Sequence, residues 1–357
     1  MENKVKDLLY LLLFSAKIDF GAVNLSDAQK EFRNELDNEV ISLCNDLPKS
    51  TREDALSFFM ERKFLGNDHE PEPERGLFHE SGGGNFPITS GQEFSFFMNY
   101  YVPAWSIIYW LIRSVSKDKE LEREDMQNGK KAHAMALFLH PLDDHLNDGQ
   151  VSATHLTVLL RSHAWMIMNA ALNRLAHGVD GGEEIVRGLM NDYYSSIRGS
   201  KDIQSLERYC DHFRKQMATW LIVPVLMAKK MRTNEEFANA IQAAYGSFGI
   251  AWRLLDDIKD IETDMIKGAK SSIYICLPKD IRNYWKKKSG EELDKKNGYL
   301  KVILDYILEH SVIERIRETV CSKLDSAASI ADDCNMTNWA DECRSLLRPF
   351  KNSGGLS

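Results

Sequence analysis

The chain contains no C-x-x-C pair and no cysteine–histidine grouping at zinc-binding spacing. Its cysteines, at 44, 210, 276, 321, 334 and 343, are scattered singly. This excludes a zinc ribbon or a compact disulfide scaffold and fits reduced thiols in a cytoplasmic protein. No apolar run reaches the roughly 18–20 residues that span a bilayer. "LLYLLLFSA" (8–16), "PAWSIIYWLI" (103–112) and "WLIVPVLMA" (220–228) are all too short, so we expect no integral membrane span. Lys4 and Lys6 precede the first run as in a signal peptide, but no small-residue cleavage site follows. Long β-branched alternations are missing, which removes the usual mark of a sheet. There is no repeat at a fixed period. Basic residues are outnumbered, 45 to 53, for a net charge of −8. General nucleic-acid binding needs a basic face and is excluded; an anion held through metal ions is not.

What is present is helix. Apolar residues recur at three- and four-residue spacing through 4–16, 95–113, 129–147, 153–176, 203–230, 234–266, 299–330 and 336–348. Segments this long predict a large antiparallel helical bundle around a central apolar cavity, an all-α fold. The Pro-, Gly- and acid-rich stretch "GNDHEPEPERGLFHESGGGNFP" (66–87) reads as a loop. It divides a helical N-terminal extension, 1–90, from a helical domain over 91–350.

Two acid clusters lie on long predicted helices. In "LLDDIKDIETD" (254–264), Asp256, Asp260 and Asp264 are four apart. Each step rotates about 40° and rises about 6 Å, giving one stripe about 12 Å long. Taken alone, this reads as a wet helix face. The other cluster, "LHPLDDHLNDG" (139–149), places Asp144 and Asp148 four apart beside Asp143. It follows the apolar "AHAMALFLHPL" (132–142); acids ending a buried helix are costly unless paired or bound to metal. Alone it reads equally as an exposed helix end. If the helices face each other, the carboxylates line one mouth of the bundle. Mg2+ takes such oxygen ligands and bridges them to phosphate oxygens. That points to a substrate with a diphosphate head and an apolar tail.

These segments resemble the trans-isoprenyl diphosphate synthase (polyprenyl synthetase) family of class I isoprenoid synthases. "YGSFGIAWRLLDDIKDIETD" (245–264) is similar to that family's second aspartate-rich motif. "YCDHFRKQMATWLIVPVLMA" (209–228), "IKGAKSSIYICLP" (266–278) and "LEHSVIERIRETVCSKLDSAASIAD" (308–332) resemble its later helices. The resemblance implies the isoprenoid synthase fold and an allylic prenyl diphosphate held through Mg2+, three ions in that family. It implies metal ligation by Asp143, Asp144, Asp148, Asp256, Asp260 and Asp264, with Asp144 and Asp256 as the catalytic pair. Lys215, Lys270 and Arg253 become the diphosphate partners, with Lys267 a weaker candidate. Phe138, Leu139 and Trp220 become pocket residues, and Trp165 a further aromatic candidate. His140 and His145 flank the first motif and are left unassigned. A homodimer is compatible with this reading.

Two departures bear on the reaction. The family's GKRxRP segment has no counterpart; "SGGGNFPITSGQ" (81–92) stands there without a basic residue. "GQVSATHL" (149–156) replaces the arginine pair after the first motif. Those groups hold the second, isopentenyl diphosphate, and a −3 anion needs cationic partners. A terpene cyclase that releases diphosphate is therefore the leading expectation. Chain elongation with isopentenyl diphosphate, or prenyl transfer to another acceptor, is the alternative. A non-catalytic partner subunit of a heteromeric prenyl synthase is the reading from another class.

Overall fold

The computed structural model describes residues 24–45, 47–60, 96–114, 121–147, 151–197, 203–231, 235–261, 264–265, 268–286 and 299–348. The expected helix at 4–16, the 66–87 loop, Asp148 and Lys267 lie outside them. The described residues form fourteen α-helices and one 3-10 turn, with no strand. The helices are α1 (Asp27–Asn45), α2 (Lys49–Met60), α3 (Val102–Arg113), α4 (Arg123–Asn147), α5 (His155–Ala176), α6 (Gly182–Ile197) and α7 (Leu206–Gln216). They continue as α8 (Ala218–Met231), α9 (Glu235–Lys259), α10 (Ser272–Cys276), α11 (Lys279–Lys286), α12 (Tyr299–Glu309), α13 (Val312–Asp333) and α14 (Thr337–Ser345). The 3-10 turn is Phe96–Asn99. No helix among the described residues is long and apolar enough to cross a membrane. None of the six cysteines is in a disulfide.

Local chemistry sets several boundaries. Thr154 starts α5 with a capping box: its hydroxyl accepts from the Thr157 N–H, and the Thr157 hydroxyl accepts from the Thr154 N–H at 2.9 Å. Glu124 and Asp125 occupy the first turn of α4, where they oppose the helix dipole. Periodicity reads 203–230 as one helix, but the chain turns at Met217 between α7 and α8. Met217 is fully buried against Gly249 of α9. A β-carbon at Gly249 would lie 2.2 Å from its sulfur, so with the Met217 side chain where it is, the position has room only for glycine. Likewise 299–330 breaks at Ser311, which takes left-handed backbone at φ 50°.

α8, "ATWLIVPVLMAKKM", is buried from Ala218 to Ala228. A helix apolar on all sides belongs in the middle of a bundle. The two acid-bearing helices, α4 and α9, both pack on α8 and both pack on α3. They therefore flank a shared apolar wall. Trp105, Trp220, Tyr245, Phe248 and Trp339 are each essentially fully buried in that interior, worth about 1.5–3 kcal/mol apiece in transfer energy.

Candidate functional site

The first acid cluster ends α4, one turn past a proline. Pro141 lacks an N–H, so the Leu137 carbonyl loses its intrahelical donor. The Tyr100 hydroxyl replaces it, donating to Leu137 O at 2.8 Å. Beyond the proline, Asp143 and Asp144 part company. Asp143 is held laterally: Arg161 Nε donates to its Oδ1 at 2.5 Å, Arg161 Nη2 to its Oδ2 at 3.1 Å, and the Tyr193 hydroxyl to Oδ2 at 3.0 Å. Asp144 is exposed.

The second cluster lies at the end of α9. The helical ladder continues past Lys259, with Asp260 N–H donating to Asp256 O at 2.9 Å and Asp264 N–H to Asp260 O at 2.8 Å. Asp256, Asp260 and Asp264 therefore keep the stripe expected from their spacing. Asp257 turns inward instead and is 1% exposed. Its Oδ2 accepts from the Ser272 N–H at 2.8 Å, and Arg253 Nε lies 3.1 Å from its Oδ1. Burial, then the neighbouring Asp260, pushes the Asp256 carboxyl up to about 7. Burial, then Asp257 and Asp260, pushes Asp264 up to about 8. The stripe is short of positive charge.

The clusters converge. His140 and Trp252 sit four residues, one turn, before Asp144 and Asp256, and their rings are 5.5 Å apart. Arg253 answers to both sides. Burial works against its charge, yet Tyr209, Asp257, Asp144 and Asp256 outweigh it and hold the guanidinium well above its ordinary value. Arg253 Nε donates to the Tyr209 hydroxyl at 3.1 Å, and its Nη1 lies 3.7 Å from Asp256. Tyr101 joins the same mouth: burial, with Asp256 and Asp260 beside it, raises its hydroxyl.

Beneath the acids lies an aromatic layer. His140 packs edge-on against Trp220 at 4.8 Å, and Trp220 packs on Trp252 at 5.3 Å. Phe213 closes the layer, 6.1 Å from Trp252 and beneath the Arg253 guanidinium. Burial drives His140 down to about 4, keeping it neutral. Trp220 thus lies in this layer, between His140 and Trp252. Phe138 and Leu139 are fully buried, Phe138 against Phe96. Trp165 is elsewhere: it packs on Tyr193 and Tyr194 in the outer α5–α6 layer, with Arg161 over its ring, because it faces those helices rather than α8. Lys215 and Lys270 are exposed side chains; only Arg253 of the three expected diphosphate partners is built into the site. Sequence reading missed Arg161, Tyr193, Tyr209 and Trp252. Trp252 carried a usable signal, four residues before Asp256; the others had none.

Among the described residues, no three His, Cys, Asp or Glu side chains stand close enough to enclose an ion. The donors at this mouth are nonetheless all carboxylate oxygens, which suits hard cations such as Mg2+, and Mg2+ ordinarily completes its shell with water and phosphate oxygens. Burial raises Asp256 and Asp264 most, with acid neighbours adding to it, and a bound cation would offset both by favouring the charged carboxylates. The residues fit the ion as one wall of a shared shell.

By sequence, the chain matches no family model and no curated relative. By structure, it is similar to the crystal structure of geranylgeranyl pyrophosphate synthase from Lactobacillus brevis. The TM-score is 0.63 at 12% identity, over 89% of this chain and 96% of that one. It is also similar to the geranylgeranyl pyrophosphate synthetase of Pyrococcus horikoshii, with a TM-score of 0.59 at 11% identity, over 89% and 97% of the two chains. The fold is the all-α isoprenoid synthase fold of these neighbours.

Proposed function

We propose that the chain is a class I isoprenoid synthase that ionises an allylic prenyl diphosphate with Mg2+. The observation that carries this is the convergence of Asp144 and Asp256 on Arg253, above an aromatic layer one turn deeper. Asp144 from α4 and Asp148, which follows it in sequence, with Asp256 from α9 and Asp260 and Asp264 beyond its end, would hold Mg2+. Bound there, Mg2+ supplies Lewis acidity that neutralises a departing diphosphate. Arg253 pairs with diphosphate oxygens from within the site, and Lys215 and Lys270, both exposed, are the further candidate partners. Trp220, Trp252 and Phe213 exclude water and present ring faces to the allylic carbocation left when the C–O bond breaks. Preorganised charge at the leaving group supplies most of the rate.

Two fates of the cation are each favoured by an observation. The two structures compared above are geranylgeranyl pyrophosphate synthases, which favours prenyl transfer, and this is our first reading. Against it, Arg161 is the only Lys or Arg between Asp148 and Arg174, and it is committed to Asp143. A second diphosphate finds no cation there, which favours intramolecular capture, the terpene cyclase. Supplying farnesyl or geranylgeranyl diphosphate with Mg2+, with and without isopentenyl diphosphate, separates the two. A longer prenyl diphosphate formed only with the co-substrate means transfer. Hydrocarbon and free diphosphate without it mean cyclisation. No turnover in either arm would point to a non-catalytic subunit.

The reading extends to a homodimer. Five of the exposed large apolar side chains, Val158, Leu159 and Met166 on α5 and Tyr194 and Ile197 on α6, share one layer. α5 carries no carboxylate, so a second copy can pack on it without like acids meeting.

A further inference from the structure

Adjacent aspartates in each motif meet different surroundings. Asp143 offers both carboxylate oxygens to three donors drawn from α5 and α6, and its side chain is 13% exposed. Asp144, the next residue, is exposed. Three of the roughly four lone-pair directions of Asp143 are already taken. A metal reaching the remaining one would sit beside the Arg161 guanidinium, a like charge, whereas among the described residues Asp144 has no cation held against it at hydrogen-bond distance. The second motif repeats the pattern. Asp257 is buried on the Ser272 N–H and beside Arg253, while Asp256 faces the mouth.

Pro141 gives the clamp its purpose. A proline inside a helix removes a ladder bond and kinks the axis. The turn of α4 that carries Asp144 therefore follows a missing ladder bond, and the lateral bonds of Asp143 to α5 and α6 hold that turn as well.

We propose that Asp143 is a positioning residue and not a metal ligand: with Arg161 and Tyr193 it clamps the last turn of α4 and fixes the direction of Asp144. This rests on the reading of Asp144 as a ligand. It leaves Asp144 as the first-motif ligand among the described residues, and it gives Arg161 a task in the site although it touches no substrate.

The test is a double-mutant cycle read two ways: melting temperature, and Mg2+ titration calorimetry in the presence of inorganic pyrophosphate. The variants are Asp143→Asn, Arg161→Gln, the double variant, Tyr193→Phe and, for comparison, Asp144→Asn. We expect Asp143→Asn and Tyr193→Phe to weaken Mg2+ binding by about tenfold, as loss of a supporting group does. The double variant should lose no more Mg2+ affinity than the worse single variant, and its melting shift should be smaller than the two single shifts added. Asp144→Asn should lose more, with no rescue from Arg161→Gln. Loss in Asp143→Asn equal to that in Asp144→Asn, with Arg161→Gln leaving Mg2+ binding unchanged, would make Asp143 a ligand and overturn the proposal. Additive melting shifts would overturn the clamp. If wild type fails to bind Mg2+ and pyrophosphate, the functional reading falls, and the melting cycle alone still decides the clamp.

Discussion

Glu342 on α14 is 5% exposed yet carries a carboxyl, and it ties three elements together. It accepts from Gln29 Nε2 at 2.9 Å, from Trp110 Nε1 at 2.8 Å and from the Ser106 hydroxyl. Burial outweighs these bonds and pushes its carboxyl up to about 7. Because the folded-state value is raised, its contribution to stability is complete below about pH 4.5 and is lost as pH rises through 7. The loss amounts to about 3 kcal/mol at most. Glu342→Gln should therefore melt higher than wild type at pH 8 and close to it at pH 5, as thermal scans at the two pH values will show. The raised carboxyls of Asp256 and Asp264 act in the opposite sense on metal binding. A ligand carboxyl must lose its proton first, so Mg2+ affinity should climb as pH rises from about 6 to 8 and then level, measured by calorimetry. At this scale the sequence was half legible. The i, i+4 spacing of Asp144 with Asp148, and of Asp256 with Asp260, is visible along one helix. The partners that occupy Asp143 are 18 and 50 residues away in the chain, and nothing local announces them.

α4 and α9 were legible as helices because their apolar positions recur with the helical period. Their irregularities came from tertiary contacts. Pro141 could have ended α4, but the helix runs on to Asn147 because Tyr100 caps the orphaned Leu137 carbonyl. Tyr100→Phe leaves that carbonyl unsatisfied and should cost about 1–3 kcal/mol. It should also weaken Mg2+ binding through the turn that carries Asp144; a denaturant titration and calorimetry check both. The turn at Met217 answers to Gly249 on another helix, a contact that periodicity within 203–230 cannot register.

For the whole molecule, the all-α bundle followed from helical periodicity and from the lack of strand patterns. The two acid clusters raised the facing of α4 and α9 only as a condition; the His140–Trp252 contact that joins the helices had no signal within either segment. Extended segments such as 1–90 carried no comparable chemistry. The apolar layer of α5 and α6 should make the chain a dimer by size-exclusion light scattering, and Leu159→Glu with Met166→Glu should yield monomer with the helical circular dichroism retained. The central claim is that carboxylates from two distant helices act as one Mg2+-dependent site on an allylic diphosphate. Its most direct test is diphosphate release from geranylgeranyl or farnesyl diphosphate, measured for wild type and for Asp144→Asn and Asp256→Asn at saturating Mg2+. We expect release only with Mg2+ and a drop of about a hundredfold or more in each variant. Wild-type release persisting in either variant would contradict the account.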